Sequence, residues 1–134
     1  MTTPRILLVG DSETRPSFLS ERLIEWGGEC KFASCRADVA ALIRSQRFDL
    51  ILSRMRLPDG SAFELVPLVN GRPTSLFSYL PTKDGCWWLP LVRSGAECAG
   101  GPALQDTTFM RMLEGMVKRR PSDFQQVAYG VPSR

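Results

Sequence analysis

The stretch FDLILSRMRLPDG, Phe48 to Gly60, constrains the fold more than any other part of the chain. Phe48, Leu50, Ile51 and Leu52 form an apolar run too short for a helix, preceded by the loop residues Gln46 and Arg47, which suits a central strand covered on both faces. Pro58-Asp59-Gly60 then signals a turn that opens a helix. In an open α/β sheet, ligands and chemistry sit beyond the carboxyl ends of the strands. Ser53, closing the run, therefore marks where a site would be built.

Around this strand the periodicity alternates. Arg5–Val9 (RILLV) reads as a strand, and Gly10-Asp11-Ser12 as a loop leading into a helix over Glu13–Trp26. In that helix Phe18, Leu19, Leu23, Ile24 and Trp26 recur at helical spacing, Pro16 fits only the first turn, and Gly27-Gly28 supply the stop. Glu29–Ala33 (ECKFA) alternates polar and apolar residues, as a strand near a sheet edge does. Arg36–Ser45 follows as a helix with Val39, Ala40, Leu42 and Ile43 inward. After the central strand a helix is expected over Ser61 to about Val69, with Phe63, Leu65, Val66 and Leu68 apolar and Pro67 weakening it. Asn70-Gly71-Arg72-Pro73 is a turn, and Thr74–Leu80 (TSLFSYL) the fourth strand. Strands alternating with amphipathic helices imply a parallel sheet with helices on both faces.

The alternation stops at Pro81. Cys86-Trp87-Trp88-Leu89-Pro90-Leu91-Val92 is aromatic and β-prone between proline and glycine breaks, which argues against a helix. It reads as an extended segment turning at Ser94-Gly95 to pair with Glu97–Ala99, a hairpin where the alternation calls for a helix. At least one of Trp87 and Trp88 is expected to face outward beside Leu89 and Leu91, forming a contact patch, unless both pack inside. Thr107–Lys118 forms the last helix, with Asp106 as its cap and Phe109, Met110, Met112, Leu113, Met116 and Val117 inward.

Composition narrows the function. The chain has 134 residues, a net charge of +3 and no histidine, which removes imidazole metal ligation and His-based hydrolysis. One domain over residues 1–120 uses the length, and 121–134 reads as a tail or the start of a linker. The basic residues are scattered, with only Lys118-Arg119-Arg120 as a run, so no nucleic-acid stripe is expected. Four cysteines, Cys30, Cys35, Cys86 and Cys98, include no Cys-x-x-Cys pair and read as free thiols rather than a zinc site. With neither a signal-peptide pattern nor a long apolar segment, a cytoplasmic protein away from the membrane is expected.

RILLVGDSE and FDLILSRMRLPDG, in this layout, resemble a response-regulator receiver domain through Leu80. The resemblance weakens over Pro81–Ala99 and returns with the last helix. It implies a flavodoxin-like, doubly wound parallel sheet of five strands, here with the fourth helix replaced by an extended segment or β-hairpin. It also implies a phosphorylation pocket, and this sequence departs from it. Of the two acidic residues expected after the first strand, Gly10 and Asp11 retain one. The phospho-accepting aspartate is Ser53. Ser78 matches the family's Ser or Thr at the end of strand four. Gly101-Pro102 stands where a Lys-Pro pair is expected.

Phosphoryl transfer to a carboxylate needs an acceptor oxygen, a divalent cation and a cation on the phosphoryl oxygens. Asp11 alone does not assemble these, and Arg54 and Arg56 are expected to pair with Asp11 or Asp59. The resemblance thus implies a pseudo-receiver: no catalysis, no cofactor or metal, and function through a protein partner, with a homodimer through the hairpin and last helix as one form. Two alternatives stand beside it. One is a phosphorylatable receiver with another acceptor, Asp59 or Asp11. The other is a small-ligand binder whose strand-end cleft is lined by Asp11, Ser53, Arg54 and Ser78.

Overall fold

The computed structural model describes residues 3–10, 17–82, 85–92 and 104–118. A mixed six-stranded sheet runs in the order β2-β1-β3-β6-β7-β8, where β1 is Arg5–Val9, β2 Glu29–Ala33, β3 Leu50–Arg54, β6 Ser75–Thr82, β7 Gly85–Val92 and β8 Leu104–Gln105. The strands β2, β1, β3 and β6 are mutually parallel. Between β3 and β6 the short strands β4 (Arg56–Leu57) and β5 (Gly60–Ser61) form a small antiparallel ribbon.

The helices divide between the two faces. Against one face lie α1 (Ser17–Glu25) and α4 (Asp106–Lys118), whose Leu19, Leu23, Phe109, Leu113, Met116 and Val117 pack on Ile6, Leu8, Leu50, Leu52, Phe77 and Tyr79. Against the other lie α2 (Arg36–Ser45), a 3-10 turn at Ala62–Leu65 and α3 (Val66–Val69), which meet Leu7, Val9, Ile51 and Leu76. Alternate residues of β1 and β3 thus serve opposite cores. That is why both strands read as continuous apolar runs.

Local chemistry explains the boundaries. Gly28 donates to the Leu23 carbonyl at 2.8 Å and Gly27 to Ile24 at 3.0 Å, a Schellman stop for α1 with Gly27 at φ 100°. A Cβ on Gly28 would stand 2.7 Å from Ile6 Cδ1 and 3.1 Å from the Leu23 carbonyl oxygen, so a side chain there would press on the tip of Ile6 and on the last turn of α1. The helix expected over Ser61–Val69 is instead the 3-10 turn followed by α3, with Pro67 in the first turn of α3, where its missing N–H costs nothing. Ile24 and Phe63, counted among the apolar residues of their expected helices, are exposed, because each buried stripe is narrower than its run of apolar residues.

The sheet departs from five parallel strands at β7. This strand runs antiparallel to β6, with Thr82 opposite Gly85 and Leu80 opposite Trp87. The extended segment was expected; its partner was not. β7 pairs with β6, the strand directly before it in the chain. The expected partner, Glu97–Ala99, lies outside the described residues, as do the turn at Ser94-Gly95 and the tail 121–134. On its far side β7 meets β8 only at Trp87 and Trp88 among the described residues, leaving Pro90 beyond that pairing, as suits a residue without an N–H.

Candidate functional site

The carboxyl ends of the parallel strands bring three of the expected pocket residues together. Ser53 of β3 stands between Val9 of β1 and Ser78 of β6 in the strand register, and Gly10 follows Val9 directly. Asp11 and Gly101 lie outside the described residues. Ser53 and Ser78 are both fully buried, and Gly10 is buried with its N–H donating to the Ala33 carbonyl at 2.9 Å.

The two hydroxyls are turned to the protein. Ser53 Oγ donates to the carbonyl of the adjacent Arg54 at 2.9 Å, and Ser78 Oγ to Met55 Sδ at 3.7 Å. Met55 is held in turn, its N–H donating to the Tyr79 carbonyl and its carbonyl accepting from Ala62. Its thioether therefore sits against Ser78 at the strand ends. The arrangement supplies short-range satisfaction of buried polar groups, which is the ordinary role of a strand-end serine.

Asp59 has a structural post. Its carboxylate accepts the N–H of Arg36 at 2.7 Å and of Ala37 at 3.0 Å, so the β4–β5 ribbon caps the start of α2 from a distance. The capping position itself, Cys35, offers no side-chain bond. The Arg36 N–H above all, with the Ala37 N–H and the Arg36 charge, outweighs an opposing desolvation effect and holds the Asp59 carboxyl below its usual 3.8. The expected ion pair of Asp59 with Arg54 or Arg56 gives way to this cap, because two aligned amides at a helix start bind a carboxylate better than a surface guanidinium. Arg36 Nη1 lies 3.5 Å from Glu64, whose carboxylate also accepts the Ser61 N–H at 2.8 Å.

The expected contact surface divides. Trp88 is fully buried, stacked on Phe109 of α4 with ring centroids 4.1 Å apart and planes 7° apart, and tilted against Tyr79 at 5.2 Å. Leu91 is also in the core and Leu89 is half-buried, so Trp88 and Leu91 leave the candidate surface. Two-residue alternation sends neighbours to opposite faces, and α4 covers only the face that Trp88 joins. Trp87 faces the other way and is 38 % exposed. Its cross-strand neighbour Leu80, on the same face, is 49 % exposed. Leu80 was not singled out in the sequence, although its place two residues beyond Ser78 on the same strand face would have marked it.

Among the described residues no three Cys, Asp or Glu side chains form a metal-holding group. Cys30 and Cys35 are free, half-buried thiols, and burial pushes the Cys30 thiol up to about 11. Among the described residues no helix is long and apolar enough to cross a membrane.

No family model matches the chain. Among solved structures, the non-phosphorylated HemR receiver domain from Leptospira biflexa is 38 % identical over an alignment covering 49 % of this chain and 53 % of that one, with a TM-score of 0.44. The alignment thus spans about half of either chain.

Proposed function

We propose that this chain is a signalling module of the response-regulator receiver type, without a working aspartyl-phosphate switch, that acts through protein contacts and not through catalysis. Its support is the parallel order β2-β1-β3-β6 with helices on both faces, together with the sequence resemblance through Leu80. The observation that carries it is Ser53: at the place of the acceptor stands a fully buried hydroxyl that donates to the Arg54 carbonyl. A serine there offers neither a carboxylate acceptor nor a charge for a divalent cation, and Met55 lies against the neighbouring Ser78.

Asp59 as a displaced acceptor is disfavoured by its engagement at the start of α2, since phosphorylation would place a phosphoryl group on one of the two oxygens that accept Arg36 and Ala37 and crowd that contact. The contact surface on this reading is Trp87 with Leu80 and the edge of Leu89. Its occupant is a protein partner or a second copy of the chain.

The test is incubation with acetyl phosphate and magnesium, followed by intact-mass measurement. No phosphoryl adduct is expected. A base-labile adduct would overturn the proposal, and Asp59→Asn and Asp11→Asn variants would then locate the acceptor.

A further inference from the structure

A cleft of about 420 Å³ opens at the amino ends of β3 and β6, the end of the sheet opposite Ser53 and Ser78. Its walls are the last turn of α2 (Ile43, Arg44, Ser45), the loop into β3 (Gln46, Arg47, Phe48) and the loop into β6 (Arg72, Pro73, Thr74). Three arginines line it and no carboxylate does. Among the described residues, none of the three forms an ion pair with an acid. The nearest acid along the chain, Asp49, accepts the backbone N–H of Arg5 at 3.0 Å.

Two of the arginines have a partial structural explanation. Arg44 sits in the last turn of α2, where a cation complements the helix dipole, and Arg72 Nη1 donates to the Ile43 carbonyl at 3.4 Å. Arg47 has neither role: it lies past the helix end, exposed, on the same cleft. Three like charges gathered without an acid repel one another, and an anion between them removes that repulsion. Guanidinium groups suit phosphate best, because their planar donor forks match its oxygens in pairs. The floor is held rigidly: Thr74 Oγ1 donates to the Phe48 carbonyl at 2.6 Å and the Thr74 N–H to the Arg72 carbonyl at 2.7 Å, tying the two loops together. Ile43 and Pro73 add an apolar wall beside the charges. The volume falls within the range of about 300–1,000 Å³ usual for small-molecule sites.

From these observations we infer that the cleft binds a phosphate-bearing small molecule, its phosphate held by Arg44, Arg47 and Arg72. The site is independent of the strand-end serines. The test is an amide-resolved NMR titration of the protein with inorganic phosphate, adenosine monophosphate and acetate at matched ionic strength. Phosphate or the nucleotide should shift the amides of Gln46, Arg47, Phe48 and Thr74 saturably. An Arg44→Gln/Arg47→Gln double variant should weaken binding about tenfold or more, while Lys31→Gln leaves it unchanged. Tighter binding of the nucleotide assigns an organic phosphate that uses the apolar wall, and equal binding assigns free phosphate. Acetate giving the same shifts, shifts that do not saturate, or a double variant that binds as well as the parent would overturn the inference.

Discussion

The two sides of the sheet treat their apolar residues differently. Around β1 and β3 every core side chain is covered, because the connections to and from these strands pass through α1, α2 and α3 and leave helices on both faces. Along β6 and β7 one face is covered by α4, while the other is packed at Leu76, Leu91 and Val92 but carries Leu80 and Trp87 at the surface. The difference lies in the connection. A parallel crossover brings its own helix, whereas an antiparallel return of two residues brings none. Coverage of an apolar face is thus set by how strands are joined, more than by how apolar they are.

The adjacent tryptophans test this contrast most directly. Trp88→Ala removes the ring stacked between Tyr79 and Phe109 and is expected to cost about 3–5 kcal/mol in urea unfolding. Trp87→Ala is expected to cost about 1 kcal/mol or less. Equal losses would mean that both faces of β7 are packed alike. Next in size is Gly28→Ala on the covered side, where the new Cβ meets Ile6 and the Leu23 carbonyl. A loss of about 1–3 kcal/mol is expected, and a neutral result would show slack between α1 and β1.

The cap of α2 carries a pH signature. Because the folded Asp59 carboxyl titrates below 3.8, its contribution is complete above that value and disappears as pH falls through the lower, folded value. The stability gap between the parent and Asp59→Asn should therefore be constant near neutrality and close on acidification below about 3.8. A gap that persists in acid would take the cap away from the carboxylate charge. The smallest expected effect on stability is that of Leu80→Glu, within about 0.5 kcal/mol by thermal melting. Its readout is association: if a second copy covers the exposed face, the mass by light scattering falls to that of a monomer, and if a different protein covers it, capture of that partner is lost.

Much of the parallel half was legible in the sequence. β2 and α2 run over the expected residues, because a two-residue alternation and a 3.6-residue stripe are local signals bounded by Gly27-Gly28 and Gln46. The strand-end cluster was legible in part. The strand ends could be counted from the apolar runs, and the register does place Ser53 beside Ser78. That Met55 lies against Ser78, and that Asp59 turns away to α2, depended on the β4–β5 ribbon, whose two-residue strands are too short to leave a periodic signal.

The amino-acid sequence by itself determined the alternation of strands and helices through Leu80, the extended character of Cys86–Val92, and the lack of histidine chemistry, since these depend on composition and near-neighbour spacing. Tertiary structure alone decided which strand β7 joins, which of two adjacent tryptophans meets water, and that Arg44, Arg47 and Arg72 share one cleft. Each of these is a meeting of residues on different elements, and the spacing along the chain holds no record of such a meeting until the sheet order places the elements side by side.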